Sequence, residues 1–150
     1  MRQAIELAAT AGRAEEVPVG ALIVNAAGRI LATGENRRER DHDPTAHAEI
    51  LALRAAGQAL GTWYLTNCTL YVTLEPCPMC TGAILQARIG VLVYGAPDPK
   101  AGAIQTVLNL PHSPAAFHRL AVVGGVLETD CRHQLQDWFR QHRQRQRAKP

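Results

Sequence analysis

The sequence lacks any apolar run close to the ~20 residues that a membrane-spanning helix requires. Its first residues also lack the long apolar core of a secretory signal peptide, because Glu6 interrupts them. Internal repeats, low-complexity tracts and linkers to a second domain are absent, so the 150 residues predict one domain spanning 1–150. The four cysteines are few, and we expect them to stay reduced in a cytosolic protein.

Acidic residues are absent from the end of the chain. Residues 140–150 carry a local charge of +5 from Arg140, Arg143, Arg145, Arg147 and Lys149. The other 11 basic residues are outnumbered by 13 acidic ones, so residues 1–139 carry −2 and the net charge of +3 is due to this tail. A basic terminal segment indicates a polyanionic partner, although a solvated helix end also explains it.

Apolar periodicity and turn residues predict five strands, at residues 20–24, 29–34, 68–74, 91–94 and 120–123. The predicted helices lie at residues 1–11, from an N-cap at Thr45 to Gly57 or Gly61, at 79–87, at 103–108 and from 128 onward. Residues 36–44 and 111–114 are predicted to be loops. A helix and a hairpin followed by strands alternating with helices predict an α/β fold, with a mixed sheet between two helical layers.

The last predicted helix has an apolar side that we expect to be buried. Its members are Cys131, Leu135, Trp138 and Phe139, spaced by four, three and one. Burial of this side would fix the start of the helix and leave its arginine-rich end pointing outward.

Two cysteines follow the third predicted strand, in the sequence Cys77-Pro78-Met79-Cys80. Pro78 suits the first position of a helix, where a missing N–H costs nothing. Both cysteines are therefore expected in the opening turn of a helix, where free N–H groups and the helix dipole favour thiolates. Such a pair is typical of a metal site or a redox site.

Three sites are consistent with this pair. A strand followed by Cys-x-x-Cys and a helix is the context of thioredoxin-like redox proteins. A structural zinc site with four cysteines would also need Cys68 and Cys131, which stand alone in apolar surroundings typical of core residues. A catalytic zinc site needs one further protein ligand and keeps one coordination position open.

The tripeptide His47-Ala48-Glu49 offers a ligand and a carboxylate at the start of another predicted helix. His47 and Glu49 fall in the first turn after Thr45, as Cys77 and Cys80 fall in the first turn of the next helix. If these two helices lie side by side, their N-termini meet and the ligand atoms converge. The spacing therefore permits a catalytic zinc site with a carboxylate beside it.

These two motifs together resemble the signature of the zinc-dependent nucleobase deaminases. Nearly the whole chain resembles the bacterial tRNA-specific adenosine deaminases, through the stretches Val17–Ala21, Asp43–Glu49, Thr73–Cys77, Asp98–Ala103 and Trp138–Arg140. Residues 104–118 follow that family's pattern only loosely. The resemblance implies a three-layer α/β/α, cytidine deaminase-like fold with a five-stranded mixed sheet.

The resemblance also implies an activity, the hydrolytic deamination of adenosine to inosine at the wobble position of a tRNA anticodon. It implies one Zn²⁺ per chain, held by His47, Cys77 and Cys80, while Glu49 moves protons and does not bind the metal. The substrate contacts that it implies are Asn36, Val19, Leu74, Asp98, Lys100, Arg140 and Arg143. The implied partners are the tRNA anticodon stem-loop and a second copy of the chain in a homodimer.

Three other functions remain open from the sequence. A deaminase of free bases or nucleosides, such as guanine or cytosine compounds, would use the same fold, although Asn36, the loop at residues 98–103 and the basic tail favour RNA. A redox protein using Cys77 and Cys80 predicts a reversible disulfide, no bound metal and indifference to His47 and Glu49. A non-catalytic, zinc-containing RNA-binding subunit would need a broken proton shuttle, whereas Glu49 is present.

Overall fold

The computed structural model describes residues 1–148 of the chain. The strands are β1 (Gly20–Val24), β2 (Ile30–Glu35), β3 (Thr69–Leu74), β4 (Val91–Ala96) and β5 (Ala121–Val123). The helices are α1 (Arg2–Arg13), α2 (Arg38–Asp41), α3 (Ala48–Leu60), α4 (Pro78–Gln86) and α5 (Glu128–Arg147), with a 3₁₀ turn at Leu110–His112. Within this described range, no helix is both long and apolar enough to cross a membrane.

The five strands form one mixed sheet in the order β2-β1-β3-β4-β5. β1 pairs antiparallel with β2 and with β3, whereas β3, β4 and β5 run parallel. The β1–β2 hairpin turns where Asn25 Oδ1 accepts the N–H groups of Ala27 and Arg29, with Gly28 at a φ of 75°. The parallel pairing brings the carboxyl ends of β3 and β4 to the same edge of the sheet.

Helices cover both faces of this sheet, and the fold class predicted from the sequence is confirmed. α1 and α5 share one layer, where the Trp138 indole N–H donates to the Gly12 carbonyl at 3.2 Å. α3 and α4 form the other layer, over a core that includes Ile23, Leu70 and Ile84. Gly34 of β2 permits the close approach of α3, because a Cβ there would run into the carbonyl oxygen of Ala48.

The predicted N-cap at Thr45 is wrong. The Thr45 hydroxyl donates to Asp43 Oδ1 at 2.7 Å, and the same oxygen accepts the Thr45 N–H at 2.8 Å. The Thr45 side chain is therefore used in a turn closed by Asp43, and α3 begins three residues later with His47 as its N-cap. At the other end, the alternative of a stop at Gly61 is confirmed, because Gly61 adopts the left-handed conformation as the C-cap.

Two loop predictions and one helix prediction are also wrong. The charged segment 36–44 contains α2, whose first N–H groups, from Glu39 and Arg40, donate to the distant carboxylate of Glu16. Residues 103–108 form turns and not a helix, because the N–H groups of residues 104–106 donate to the Glu75 side chain. The predicted loop at 111–114 overlaps the 3₁₀ turn at Leu110–His112.

The predicted apolar side of α5 is confirmed except for its last residue, Phe139. Cys131 and Leu135 are buried and Trp138 is half-buried, but 40% of the Phe139 surface is exposed. Consecutive helical residues point about 100° apart, so Phe139 leaves the side that faces α1. The helix extends to Arg147, and Lys149 of the basic tail lies outside the described residues.

Candidate active site

The N-termini of α3 and α4 meet at one edge of the sheet and bring three ligand-type side chains together. His47 is the N-cap of α3, Cys77 is the N-cap of α4, and Cys80 lies in the first turn of α4. His47 Nδ1 lies 3.4 Å from the Sγ atom of Cys80 and 3.7 Å from that of Cys77. The ligand atoms of all three residues lie within 4.8 Å of one another.

This donor set fits zinc. At the usual Zn–S and Zn–N lengths, tetrahedral ligand atoms lie about 3.5 Å apart, close to the separations seen here. Over residues 1–148, no other group of at least three His, Cys, Asp or Glu residues has this proximity. Cys68 and Cys131 are buried and do not belong to the group, so a four-cysteine zinc site is not formed. His47, Cys77 and Cys80 therefore form a three-residue zinc site with room for a further ligand.

Without a metal, the pKa values of the two thiols shift in opposite directions. Cys80 donates a hydrogen bond to the thiolate of Cys77, and this bond lowers the pKa of Cys77 to about 4 despite partial burial. The same hydrogen bond raises the pKa of Cys80, since the neighbouring thiolate opposes a second negative charge. Through its hydrogen bond, the Cys77 thiolate also raises the pKa of His47. The cluster thus concentrates negative charge where a cation would replace the shared protons.

Glu49 stands beside the ligands without being one of them. It lies in the first turn of α3, with only 4% of its surface exposed. Burial raises the pKa of Glu49 to about 7. A carboxyl group with a pKa near neutrality can accept and release a proton at physiological pH, as a general acid and base must.

A cavity of about 210 Å³ opens next to His47, Glu49 and Cys77. Its other lining residues are Val17, Val19, Asn36, Arg38, Ala48, Leu74, Glu75, Asp98 and Ala101. Asn36 is buried and donates through Nδ2 to the Val17 carbonyl at 3.2 Å. Its Oδ1 is buried and has no hydrogen-bond partner among the described residues.

The substrate contacts implied by the resemblance divide into two groups. Asn36, Val19, Leu74 and Asp98 line the cavity beside the zinc ligands. Lys100, Arg140 and Arg143 are exposed and lie outside the cavity lining. Arg140 donates to Asp137 at 2.6 Å on the outer surface of α5.

Five lining residues were not singled out as site residues from the sequence, namely Val17, Arg38, Ala48, Glu75 and Ala101. Glu75 lies within the Thr73–Cys77 motif, but its contacts are with residues 98–106, which no local pattern indicates. Arg38 lies in the charged segment, which reads as a solvated loop. It lines the site cavity and an adjoining cavity of about 440 Å³, which also contacts Trp138, Phe139, His142 and Gln146 of α5. This second cavity extends the site toward the basic helix.

The part of the chain that holds the zinc site matches a known protein family. A family model described as the cytidine and deoxycytidylate deaminase zinc-binding region matches residues 1–96. The chain belongs to this deaminase family. The matched residues include all three zinc ligands and Glu49, so the model covers the site just described.

Individual relatives are similar to this chain over most or all of its length. A Deinococcus deserti protein named tRNA(Ile)-lysidine synthase is 51% identical over 150 residues, but the chain spans only 28% of that protein. The tRNA-specific adenosine deaminase of Bacillus subtilis is 46% identical, covering 99% of this chain and 91% of the relative. A solved tRNA:A34 deaminase has a TM-score of 0.87 and 44% identity, covering 90% of this chain and 97% of that one. The resemblance to this family and its fold is confirmed.

Proposed function

We propose that the protein deaminates adenosine to inosine at the wobble position of tRNA and releases ammonia. The observation that carries the proposal is the buried carboxyl of Glu49 beside a three-residue zinc site, at the wall of a cavity. The adenosine and its tRNA context are supported by the names of the relatives, which include a tRNA-specific adenosine deaminase and a tRNA:A34 deaminase.

The residues of the site have separate tasks in this reaction. Zinc bound to His47, Cys77 and Cys80 supplies a Lewis acid that lowers the pKa of water toward neutrality. Glu49 accepts the proton of the attacking water and delivers it to N1 of the adenine ring as oxygen adds to C6. Glu49 then takes the proton of the new C6 hydroxyl and transfers it to the exocyclic nitrogen, which leaves as ammonia while the C6 carbonyl of inosine forms. One buried carboxyl with a pKa near 7 serves both transfers.

In this proposal, Asn36 has the task of reading the base. Asn36 lines a cavity whose apolar surface includes Val19 and Leu74, and its Oδ1 has no hydrogen-bond partner among the described residues. An amide acceptor held by the Val17 carbonyl can hydrogen-bond an N–H on the edge of a purine. The two apolar side chains would exclude water from the bound ring.

The RNA outside the cavity meets a surface of mixed character. Arg38 lies at the junction of the two cavities and makes no salt bridge within residues 1–148. The second cavity leads to Phe139 and His142, aromatic rings on which splayed bases can stack. Asp98 lines the cavity, and Lys100 of the same loop is exposed. Arg140 and Arg143 are exposed on α5, and we expect them to contact the phosphates of an anticodon stem-loop.

The expected homodimer has a candidate surface on the layer of α3 and α4. An open groove of about 1080 Å³ is lined there by Ile50, Leu53, Leu65, Ala83 and Ala87, with Trp63 59% exposed at its rim. A second copy bound in this groove would lie next to the helices that carry the zinc ligands.

Sedimentation tests this surface. It should give twice the chain mass for the wild type and for the control variant Ala27→Glu, whose substitution lies on the hairpin turn. Ala83→Glu should shift the protein toward monomer, whereas an unchanged dimer would rule out this groove.

We further propose that the protein acts in the cytoplasm. All four cysteines are free, as a reducing compartment requires. Its proposed tRNA substrate is also found there. Fractionation of cells expressing a tagged chain would test this, and recovery in the membrane or secreted fraction would contradict it.

Ammonia release from matched substrates tests the proposed substrate class. The zinc-loaded protein should deaminate an anticodon stem-loop with adenosine at the wobble position. It should leave free adenosine, guanine and cytidine almost unchanged at the same concentration. Faster turnover of a free base or nucleoside than of the stem-loop would overturn the proposal in favour of a small-molecule deaminase.

A further inference from the structure

Glu75 is a buried carboxylate that neither binds the metal nor transfers protons in the reaction described. It follows β3 directly and precedes Cys77 by two residues, with only 1% of its surface exposed. Its backbone N–H donates to the Ala96 carbonyl at 2.8 Å, which extends the pairing of β3 with β4. A charged group buried to this degree requires compensating partners.

The partners of this carboxylate all come from one segment, residues 97–106, which we name the wall loop. Oε1 accepts the N–H groups of Ile104 at 3.1 Å, Gln105 at 2.8 Å and Thr106 at 3.0 Å. Oε2 accepts the N–H of Asp98 at 3.1 Å and the hydroxyl of Thr106. Burial opposes the charge, but these hydrogen bonds outweigh it and hold the pKa of Glu75 below its ordinary value.

The wall loop is fitted to the Glu75 side chain and to the segment that follows it. A Cβ on Gly102 would collide with the Glu75 carboxylate, so glycine is needed there for the close approach. The next residue, Ala103, donates its N–H to the Pro76 carbonyl at 2.9 Å. The stretch containing Cys77 and the wall loop are thus joined on both sides of Glu75.

The loop held in this way forms part of the proposed substrate site. Asp98 and Ala101 line the cavity next to Glu49, and Lys100 is exposed between them. Both ends of the loop donate hydrogen bonds to Glu75, from Asp98 and from residues 104–106. Without them, four backbone N–H groups would lose their acceptor and the loop could leave the cavity.

We propose that Glu75 is a positioning residue, which fixes the wall loop against the cavity and so sets the affinity for the nucleotides around the target base. The proposal deepens the RNA deaminase function and rests on it. No residue of the wall loop belongs to the His47, Cys77 and Cys80 cluster, and none carries the proton transfers proposed for Glu49. Loss of Glu75 therefore raises KM for RNA and leaves zinc content and kcat nearly unchanged.

Glu75→Gln tests this in the zinc-loaded protein, because it keeps the shape of the side chain and replaces one acceptor oxygen by a donor. Hydrogen exchange should become at least about 10-fold faster at residues 98 and 104–106, since hydrogen bonds to a charged acceptor are lost. Exchange in α3 and α4 should stay unchanged. KM for the anticodon stem-loop should rise about 10-fold, with kcat within about threefold of the wild type and one zinc per chain.

A matched pair at Thr106 keeps the proposal testable if Glu75→Gln folds poorly. Thr106→Val removes the hydroxyl donor and should shift exchange and KM in the same direction by a smaller factor. Thr106→Ser keeps the donor and should behave like the wild type. Equal behaviour of the valine and serine variants, with wild-type KM in both, would overturn the role of the carboxylate in positioning the loop.

Two results for Glu75→Gln would also overturn the proposal. One is unchanged exchange in the wall loop. The other is a fall in kcat with unchanged KM and faster exchange throughout the chain, which indicates a general loss of stability. If the wild type does not act on RNA at all, the proposed function fails, but the exchange comparison still decides whether Glu75 anchors the loop.

Discussion

At the scale of single residues, we propose that the site separates metal binding from proton transfer. His47, Cys77 and Cys80 converge through their ligand atoms, whereas Glu49 lines the same cavity as a buried carboxyl. Each of these residues occupies a helix start, where the side chain projects toward the facing helix. This division of tasks predicts that metal content and catalysis can be separated by one substitution.

Glu49→Gln should keep one zinc per chain and abolish most of the deamination. Glutamine preserves the size of the side chain but cannot carry a proton, so the rate should fall at least about 100-fold. Metal analysis and inosine formation on the stem-loop measure the two properties. Glu128→Gln, the same chemical change in the exposed first turn of α5, serves as the control and should match the wild type. Loss of zinc from Glu49→Gln, or appreciable turnover, would contradict the shuttle role.

The role of a residue could be predicted from the sequence only when its partners were close to it along the chain. The zinc ligands and Glu49 were predictable because two short motifs at helix starts carry them. The contacts of Glu75 with residues 98–106 and of Glu16 with α2 were not predictable, since each carboxylate accepts N–H groups at least 23 positions away. Arg38 was missed for the same reason, because the cavity around it is formed by distant segments.

At the scale of elements, the close packing of α3 on the sheet depends on Gly34.

The sequence predicted some elements better than others. Strands and helices with regular apolar spacing, such as β1, β3 and α4, were predicted within one or two residues. α2 and the turns at 103–108 were not predicted, because their backbone N–H groups donate to carboxylates from distant parts of the chain. The position of α3 matters most for function, since His47 caps it and Glu49 lies in its first turn.

Gly34→Ala should weaken the packing of α3 on the sheet. The added methyl group meets the backbone of Ala48 and Ala52, so α3 must shift and the free energy of unfolding should fall by about 1–3 kcal/mol. Gly82→Ala is the matched control within α4, where an added Cβ meets nothing within 4 Å. It should stabilise the protein by about 0.5–1 kcal/mol, because alanine favours the helix. Denaturant unfolding of both variants gives the comparison, and a Gly34→Ala protein as stable as Gly82→Ala would refute the packing argument.

The end of α5 should contribute to RNA affinity and little to the fold. Truncation after Phe139 removes five basic residues and the Arg145–Glu15 ion pair, which is solvent-exposed and worth little. Zinc content and unfolding should change little, whereas KM for tRNA should rise and the salt dependence of binding should become shallower. Arg140→Gln with Arg143→Gln keeps the helix and should reproduce part of the effect. Equal affinities and parallel salt slopes for all forms would eliminate the phosphate contacts.

At the scale of the whole molecule, the topology explains why one edge of the sheet carries the chemistry. The carboxyl ends of the parallel strands β3 and β4 lie side by side, followed by the Cys77 turn and the wall loop. The amino ends of α3 and α4 meet at the same edge. Because all five strands share this sheet, we propose that the chain forms a single domain, as the sequence predicts.

The measurement that bears most directly on the proposed function is a map of inosine in bulk tRNA after incubation with the zinc-loaded protein. Reverse transcription reads inosine as guanosine, so sequencing locates each converted adenosine. We expect conversion at the wobble position of tRNAs that carry adenosine there, and none in a parallel reaction with Glu49→Gln. Unconverted tRNA in the wild-type reaction, with zinc bound and the chain folded, would contradict the proposed function.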